Sequence, residues 1–123
     1  MSRVSHFEIH ALDPERTSKF YSEVFGWKIT RWEGPLEYWV VSTGEGVGID
    51  GGIVRRRGDR PIIGAATNAY VCTITLDSID EALSRVQENE GLIVVEASEI
   101  PGIGRLAYAT DPEGNIFGML QPS

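Results

Sequence analysis

The sequence predicts an α+β fold in which one small unit occurs twice. Each copy reads as a strand, a helix and then three strands, and Leu12-Asp13 and Leu76-Asp77 hold matching places in the two copies. Neither copy can bury its own sheet, so the two are expected to pack edge to edge. The cleft between them is then the expected place for function.

The first copy is predicted to begin with a strand over residues 4–11, whose polar and apolar side chains alternate. Asp13 is the expected helix N-cap, with Pro14 at the first helical position, and Gly26 is expected to end the helix. The apolar stripe of this helix should be Phe20, Tyr21, Val24 and Phe25. Three strands should follow, over residues 27–32, 36–43 and 47–55.

The second copy repeats this order after an arginine-rich connector over residues 55–69, which reads as a solvated linker. Asp77 or Ser78 is expected to cap its helix, and Gly91 to end it. Its strands should cover residues 70–76, 92–98, 104–110 and 115–121, with turns at 101–102 and 111–114. We expect a single domain, with module 1 at about 4–56, the linker at about 57–68 and module 2 at about 69–121.

Composition narrows the class of function. The formal net charge of −7 argues against nucleic acid or an anionic membrane as partner, and it permits a cationic ligand. Cys72 is the only cysteine, which rules out a disulfide framework and a thiolate metal cluster. The chain shows no signal-peptide pattern and no apolar run long enough to span a membrane, so a cytoplasmic protein is expected.

Three segments resemble the vicinal-oxygen-chelate superfamily, which includes glyoxalase I, extradiol dioxygenases and bleomycin-resistance proteins. They are residues 6–9 before Asp13-Pro14-Glu15-Arg16, residues 20–27, and residues 111–118. The sequence looks most like the subgroup described as predicted lactoylglutathione-lyase-related proteins. The resemblance implies two βαβββ modules whose paired curved mixed sheets surround a central cleft, with the helices outside, and it implies a homodimer.

In enzymes of this superfamily the cleft holds a divalent metal at four positions, which fall here on His6, Gly52, Val71 and Gly118. Only His6 has a side chain that can bind a metal, and Asp50 is the nearest carboxylate to the second position. The expectation is therefore that no metal or other cofactor is held.

The first strand presents His6, Glu8 and His10 on one face, because residues two apart on a strand point the same way. A carboxylate between two imidazoles could set the tautomer of one and raise its basicity, so Glu8 and His6 are the candidate catalytic residues. Alternatively, Glu8 is a structural carboxylate that hydrogen-bonds to backbone or to arginine. The strand glycines are expected to make room for a ligand. The predicted ligand-binding residues are His10, Asp50, Gly52, Val71, Thr73, Thr75, Tyr108 and Gly118.

Three functions remain open at this point. The first is a metal-independent protein that binds a small organic molecule in the cleft, with acid–base turnover by Glu8 or His6. The second is a binder that sequesters a cationic drug without catalysis, as resistance proteins do. The third is a metal-dependent lyase or dioxygenase in which His6 acts with Asp50 or Glu8.

Overall fold

The computed structural model describes residues 2–62, 70–110, 112–113 and 115–123. The chain divides into an N-terminal unit, His6–Tyr70, and a C-terminal unit formed by Val71–Ser123 with the residues before His6. The α+β class and the repeated order of elements are as predicted. The elements are β1 (Arg3–Ala11), α1 (Pro14–Phe25), β2 (Lys28–Arg31), β3 (Trp39–Ser42), β4 (Asp50–Arg55), β5 (Val71–Thr75), α2 (Ile79–Glu88), β6 (Leu92–Ile100), β7 (Gly104–Thr110) and β8 (Ile116–Pro122).

The N-terminal unit is a four-stranded mixed sheet in the order β2-β3-β4-β1. β1 runs parallel to β4, with Glu8 opposite Gly52, and the β2–β3 and β3–β4 pairs are antiparallel. One face of the sheet carries the buried core, to which Tyr21, Trp27 and Ile29 also pack. The buried core residues are Phe7, Ile9, Ala11, Trp39, Val41 and Ile53.

Local chemistry sets both ends of α1, as the sequence predicts. The Asp13 carboxylate accepts a hydrogen bond from the backbone N–H of Arg16 at 3.1 Å, and Pro14 occupies the first turn. Gly26 ends the helix in the left-handed region at φ 74°, and its N–H donates to the carbonyl of Ser22 at 2.9 Å.

The predicted apolar stripe of α1 is wrong in three of its four residues. Phe20, Val24 and Phe25 are 54%, 55% and 60% exposed, and only Tyr21 packs against the core. Pro14 is fully buried, and the 3.6-residue helical period then turns Tyr21, seven residues on, toward the sheet. The same period turns Phe20 and Val24 away from the sheet, whereas Phe25 lies on the Tyr21 side, where its ring contacts Tyr21 with centroids 6.0 Å apart and still stays largely exposed.

The C-terminal unit has the strand order β5-β8-β7-β6, with β5 parallel to β8 and the other pairs antiparallel. Ser78, not Asp77, caps α2, and its hydroxyl accepts from the N–H of Glu81 at 3.3 Å. Asp13 therefore corresponds to Ser78. The core of this unit packs α2 on the sheet and comprises Leu76, Ile79, Leu83, Ala107, Ala109 and Met119.

Some predicted boundaries shift. β3 and β4 begin three residues later than predicted, at Trp39 and Asp50. The helix α2 ends before Gly91, because Glu90 takes the left-handed conformation at φ 68° and Gly91 N–H donates to Val86 at 2.8 Å. Asp111 and Gly114, in the last predicted turn, lie outside the described residues. Among the described helices, none has the length and hydropathy needed to cross a membrane.

The orientation of α1 predicts that replacing two neighbouring aromatic residues by alanine lowers the free energy of unfolding by unequal amounts. Tyr21→Ala should lower the free energy of unfolding by about 2 kcal/mol, because Tyr21 stacks on Trp27 with ring centroids 5.1 Å apart. Phe20→Ala should cost less than about 1 kcal/mol, because most of its ring is already in solvent. Urea denaturation measures both, and an equal or larger cost at Phe20 would contradict the orientation.

Candidate functional site

The polar face of β1 is formed by His6, Glu8 and His10. Phe7 and Ile9, between them, point into the helix-covered core, so strand alternation turns these three side chains to the opposite side. Glu8 is 8% exposed, whereas the two histidines are half-buried. A carboxylate with so little exposure is unusual and therefore marks this face as a candidate site.

His6 is hydrogen-bonded to Tyr38, with Nε2 and the phenol oxygen 2.6 Å apart. Burial lowers the pKa of His6, and the nearby Asp50 charge opposes that shift. Burial raises the pKa of Tyr38, as does the negative charge of Glu8. At neutral pH a protonated phenol thus faces a neutral imidazole, so Tyr38 can donate its hydrogen bond to Nε2.

Gly52 makes room for this pair. A Cβ added at Gly52 would collide with the end of the Tyr38 side chain, so the ring lies directly over the glycine. The sequence predicts that this glycine opens space for a ligand. The structure instead fills that space with the protein's own tyrosine.

The C-terminal unit repeats the arrangement with different chemistry. Gly118 pairs with Thr73 on one side and with Tyr108 on the other. A Cβ at Gly118 would lie 3.0 Å from the Thr73 hydroxyl and 3.1 Å from the Tyr108 ring. Thr73 thus corresponds to Glu8, and a glycine beside a tyrosine occurs in both units.

The remaining predicted residues are placed as follows. Val71 is 7% exposed, and Thr75 is half-buried with its hydroxyl bonded to that of Ser5. The Asp50 carboxylate accepts hydrogen bonds from the backbone N–H of Thr43 at 2.8 Å and from its hydroxyl at 3.1 Å. Asp50 is therefore tied to the loop between β3 and β4. His10 lies about 13 Å along β1 from His6.

The residues present do not fit the metal arrangement that the resemblance implies. In the N-terminal unit, Gly52 supplies no donor, Tyr38 fills the space beside it, and His6 Nε2 is already bonded to Tyr38. In the C-terminal unit, Val71 and Gly118 supply no donor either. Within the described residues, no three His, Cys, Asp or Glu side chains are grouped to hold an ion. The absence of a cofactor stays a prediction.

Tyr38 is the residue that sequence reasoning missed as a partner of His6. Alternation in the strand predicted over residues 36–43 sets Tyr38 and Val40 on one face, and Val40 pairs with Gly52. The signal for a contact was thus present in the sequence as a tyrosine and a strand glycine. The pairing register that brings them together was not.

Comparisons with known proteins agree with this fold. Residues 3–44 match the family described as "Bleomycin resistance protein-like N-terminal". Hypothetical protein BH1468 from Bacillus halodurans C-125 superposes with a TM-score of 0.72 at 14% identity, over 99% of this chain and 95% of that one. Methylmalonyl-CoA epimerase from Mycobacterium tuberculosis superposes with a TM-score of 0.69 at 13% identity, over 98% and 87%.

The chain therefore has the vicinal-oxygen-chelate type of fold, and its first part is similar to bleomycin resistance proteins. Two curated relatives, both named "Putative glyoxylase CFP32" and from Mycobacterium bovis and Mycobacterium tuberculosis, are 29% identical over 63 residues. The match covers 51% of this chain and 24% of each relative, so it spans about a quarter of their length. At these identities the solved structures establish the fold and not a reaction.

The lowered histidine pKa values predict a pH-dependent stability. The pKa of His6 and of His10 is lower in the folded chain than the unfolded value of about 6.5, so the unfolded state binds protons first. The contribution of the two neutral histidines to the free energy of unfolding is fully present above about pH 6.5, and it is lost as the pH falls through their pKa values in the folded chain.

Urea denaturation at pH 7.5 and pH 5.5 measures the effect by comparing the wild type with His6→Asn and His10→Asn. Each variant should lose less stability on acidification than the wild type. The titrations of the carboxylates, which all three proteins share, cancel in the comparison. An equal loss in all three would contradict the assignment.

Substitution of Gly52 tests the packing over it. In Gly52→Ala the Tyr38 ring must move, so the bond to His6 should break and the imidazole ¹⁵N resonances of His6 should shift. Tyr38→Phe is the matched control, because it removes the hydroxyl and keeps the ring. Both variants should shift the His6 resonances, and only Gly52→Ala should change the near-UV circular dichroism. Wild-type His6 resonances in Gly52→Ala would refute the contact.

Proposed function

We propose that the chain binds a small organic molecule at the polar face of the N-terminal unit and transfers a proton to or from it without a metal ion. The observation that carries the proposal is the hydrogen bond between His6 and Tyr38 beside the buried Glu8 carboxylate. Titratable groups with shifted pKa values in close contact are typical of functional sites. That this face lines a cleft between two modules, and that two copies pair, are parts of the proposal taken from the resemblance.

The proposed chemistry uses the two protonation states of the pair. Neutral His6 can accept the Tyr38 proton at Nε2 while the Tyr38 oxygen takes a proton from the ligand, so the pair removes one proton and holds it as the His6 imidazolium, and the reverse step returns it. The negative charge of Glu8 raises the pKa of Tyr38, so it disfavours the phenolate and keeps the hydroxyl protonated. A ligand with one polar end and one apolar end would suit this face, because Val40 adjoins Gly52.

Sequestration without catalysis is the second candidate. The match to the bleomycin resistance family supports it, and the net charge of −7 would favour a cationic ligand. In that case the Glu8 carboxylate would pair with a positive group of the ligand, and His6 and Tyr38 would orient it.

A ligand screen tests the proposal. Thermal shift with charged metabolites and with bleomycin identifies a binder, and calorimetry then measures its affinity for the wild type and for Glu8→Gln, His6→Asn and Tyr38→Phe. Each substitution should weaken binding or slow turnover about tenfold, because each removes a charged or hydrogen-bonding group from the site. Product formation lost in His6→Asn would favour catalysis, whereas tight binding without any product would favour sequestration.

Tyr21→Phe is the matched control. It also removes a hydroxyl that makes a 2.6 Å hydrogen bond, to Tyr70, but it lies in the aromatic cluster around α1. It should leave affinity and turnover at wild-type values. If Tyr38→Phe behaves like Tyr21→Phe for an identified ligand, the site is not at this face.

A further inference from the structure

A pocket lies within the N-terminal unit, where β1 ends and α1 begins. Its volume is about 160 Å³, enough for about five water molecules. Its walls come from the end of β1, the first turn of α1 and the start of the arginine-rich connector. Its ionisable lining residues are His10, Asp13, Arg16, Arg56 and Arg60.

The charge of this pocket is opposite to that of the chain. Three arginines, Arg16, Arg56 and Arg60, are among its lining residues, and Asp13 is the one acidic residue among them. The Asp13 carboxylate is already engaged as the cap of α1, where it accepts the N–H of Arg16. The pocket is therefore locally positive, although the chain has a net charge of −7.

The arginines of this region differ in what they contact. Arg55 makes a two-point ion pair with Glu37, at 3.0 and 3.1 Å, which occupies its charge. Arg56 donates to the backbone carbonyl of His10 at 2.8 Å, and this bond fixes its guanidinium beside the pocket. Within the described part of the chain, neither Arg16, Arg56 nor Arg60 makes an ion pair with a carboxylate.

The positive charge of the neighbouring arginines also affects the pKa of His10. Burial lowers its pKa, and so do the charges of Arg56 and Arg57. His10 is therefore uncharged at neutral pH. In either tautomer, one ring nitrogen can still donate a hydrogen bond and the other can accept one. The pocket thus offers planar guanidinium donors without a competing carboxylate other than the engaged Asp13.

We propose that this pocket binds the phosphate group of a small molecule, or free phosphate, between Arg16, Arg56 and Arg60. Guanidinium groups match the spacing of phosphate oxygens and bind them with charge-assisted, two-point hydrogen bonds. Three guanidiniums against one carboxylate suit a dianion better than a monoanion. The site is separate from the His6–Tyr38 pair, and the inference does not depend on the proposed function.

The chain contains two histidines, and this permits a direct test by NMR. Inorganic phosphate is titrated into the full chain at pH 7.5, with sodium chloride holding the ionic strength constant. The imidazole resonances of His10 should move in a saturable way, and the pKa of His10 should rise in the complex. His6, about 13 Å away along β1, should move much less. Methyl phosphate in a parallel titration separates the sources: tighter binding than phosphate indicates a phosphate ester, and weaker binding indicates the free ion.

Charge-removing variants give the control. Arg16→Gln and Arg60→Gln should each weaken phosphate binding about tenfold, because each removes a charge-assisted hydrogen bond. Arg57→Gln removes the same charge from the same segment but does not line the pocket, so it should weaken binding less than about threefold. Circular dichroism confirms that each variant is folded.

Three results would overturn the inference. The first is an Arg57→Gln effect equal to that of Arg60→Gln, which would indicate a diffuse charge effect. The second is acetate binding as tightly as phosphate at the same ionic strength, which would exclude a dianion site. The third is an equal, non-saturating shift of His6 and His10.

Discussion

The close approach of Tyr38 to the backbone at Gly52 is the contact on which the candidate site depends. The parallel pairing of β1 with β4 sets Gly52 opposite Glu8, and any side chain at position 52 would occupy the place of the phenol. Because the ring fits there, its hydroxyl reaches His6, and both groups lose water. The lowered pKa of His6 and the raised pKa of Tyr38 are therefore consequences of backbone register as much as of side-chain chemistry.

The two units share this backbone arrangement but differ in what they attach to it. In the C-terminal unit, Gly118 again lies beside a tyrosine, but Thr73 stands where the N-terminal unit has Glu8. A buried hydroxyl can be satisfied by neighbouring groups at little cost, whereas a buried carboxylate costs much more unless it has partners. The N-terminal unit alone therefore keeps an ionisable group at this buried position, and this difference is the physical argument for function at Glu8.

Prediction from the sequence succeeded where the determinants are local. The Asp13 cap, the left-handed Gly26 and the shared face of His6 and Glu8 follow from short-range rules of helix ends and strand alternation. It failed where tertiary contacts decide. Phe20 belongs to an apolar stripe by composition, but the fully buried Pro14 sets the rotation of α1 and leaves Phe20 in solvent. The partner of His6 likewise required the register of β1 against β4, whose paired residues lie 44 positions apart in the chain, and no local pattern reveals it.

Net charge is a poor guide to the ligand of this chain, because its two candidate sites differ in sign along one strand. Near the start of β1, His6 and Tyr38 lie beside the Glu8 carboxylate. Near the end of β1, the carbonyl of His10 accepts a hydrogen bond from the positively charged Arg56 side chain. The two ends are about 13 Å apart, and at physiological salt the screening length is about 8 Å. Each site therefore responds mainly to its own neighbours, so an overall charge of −7 is compatible with an anion at the second site.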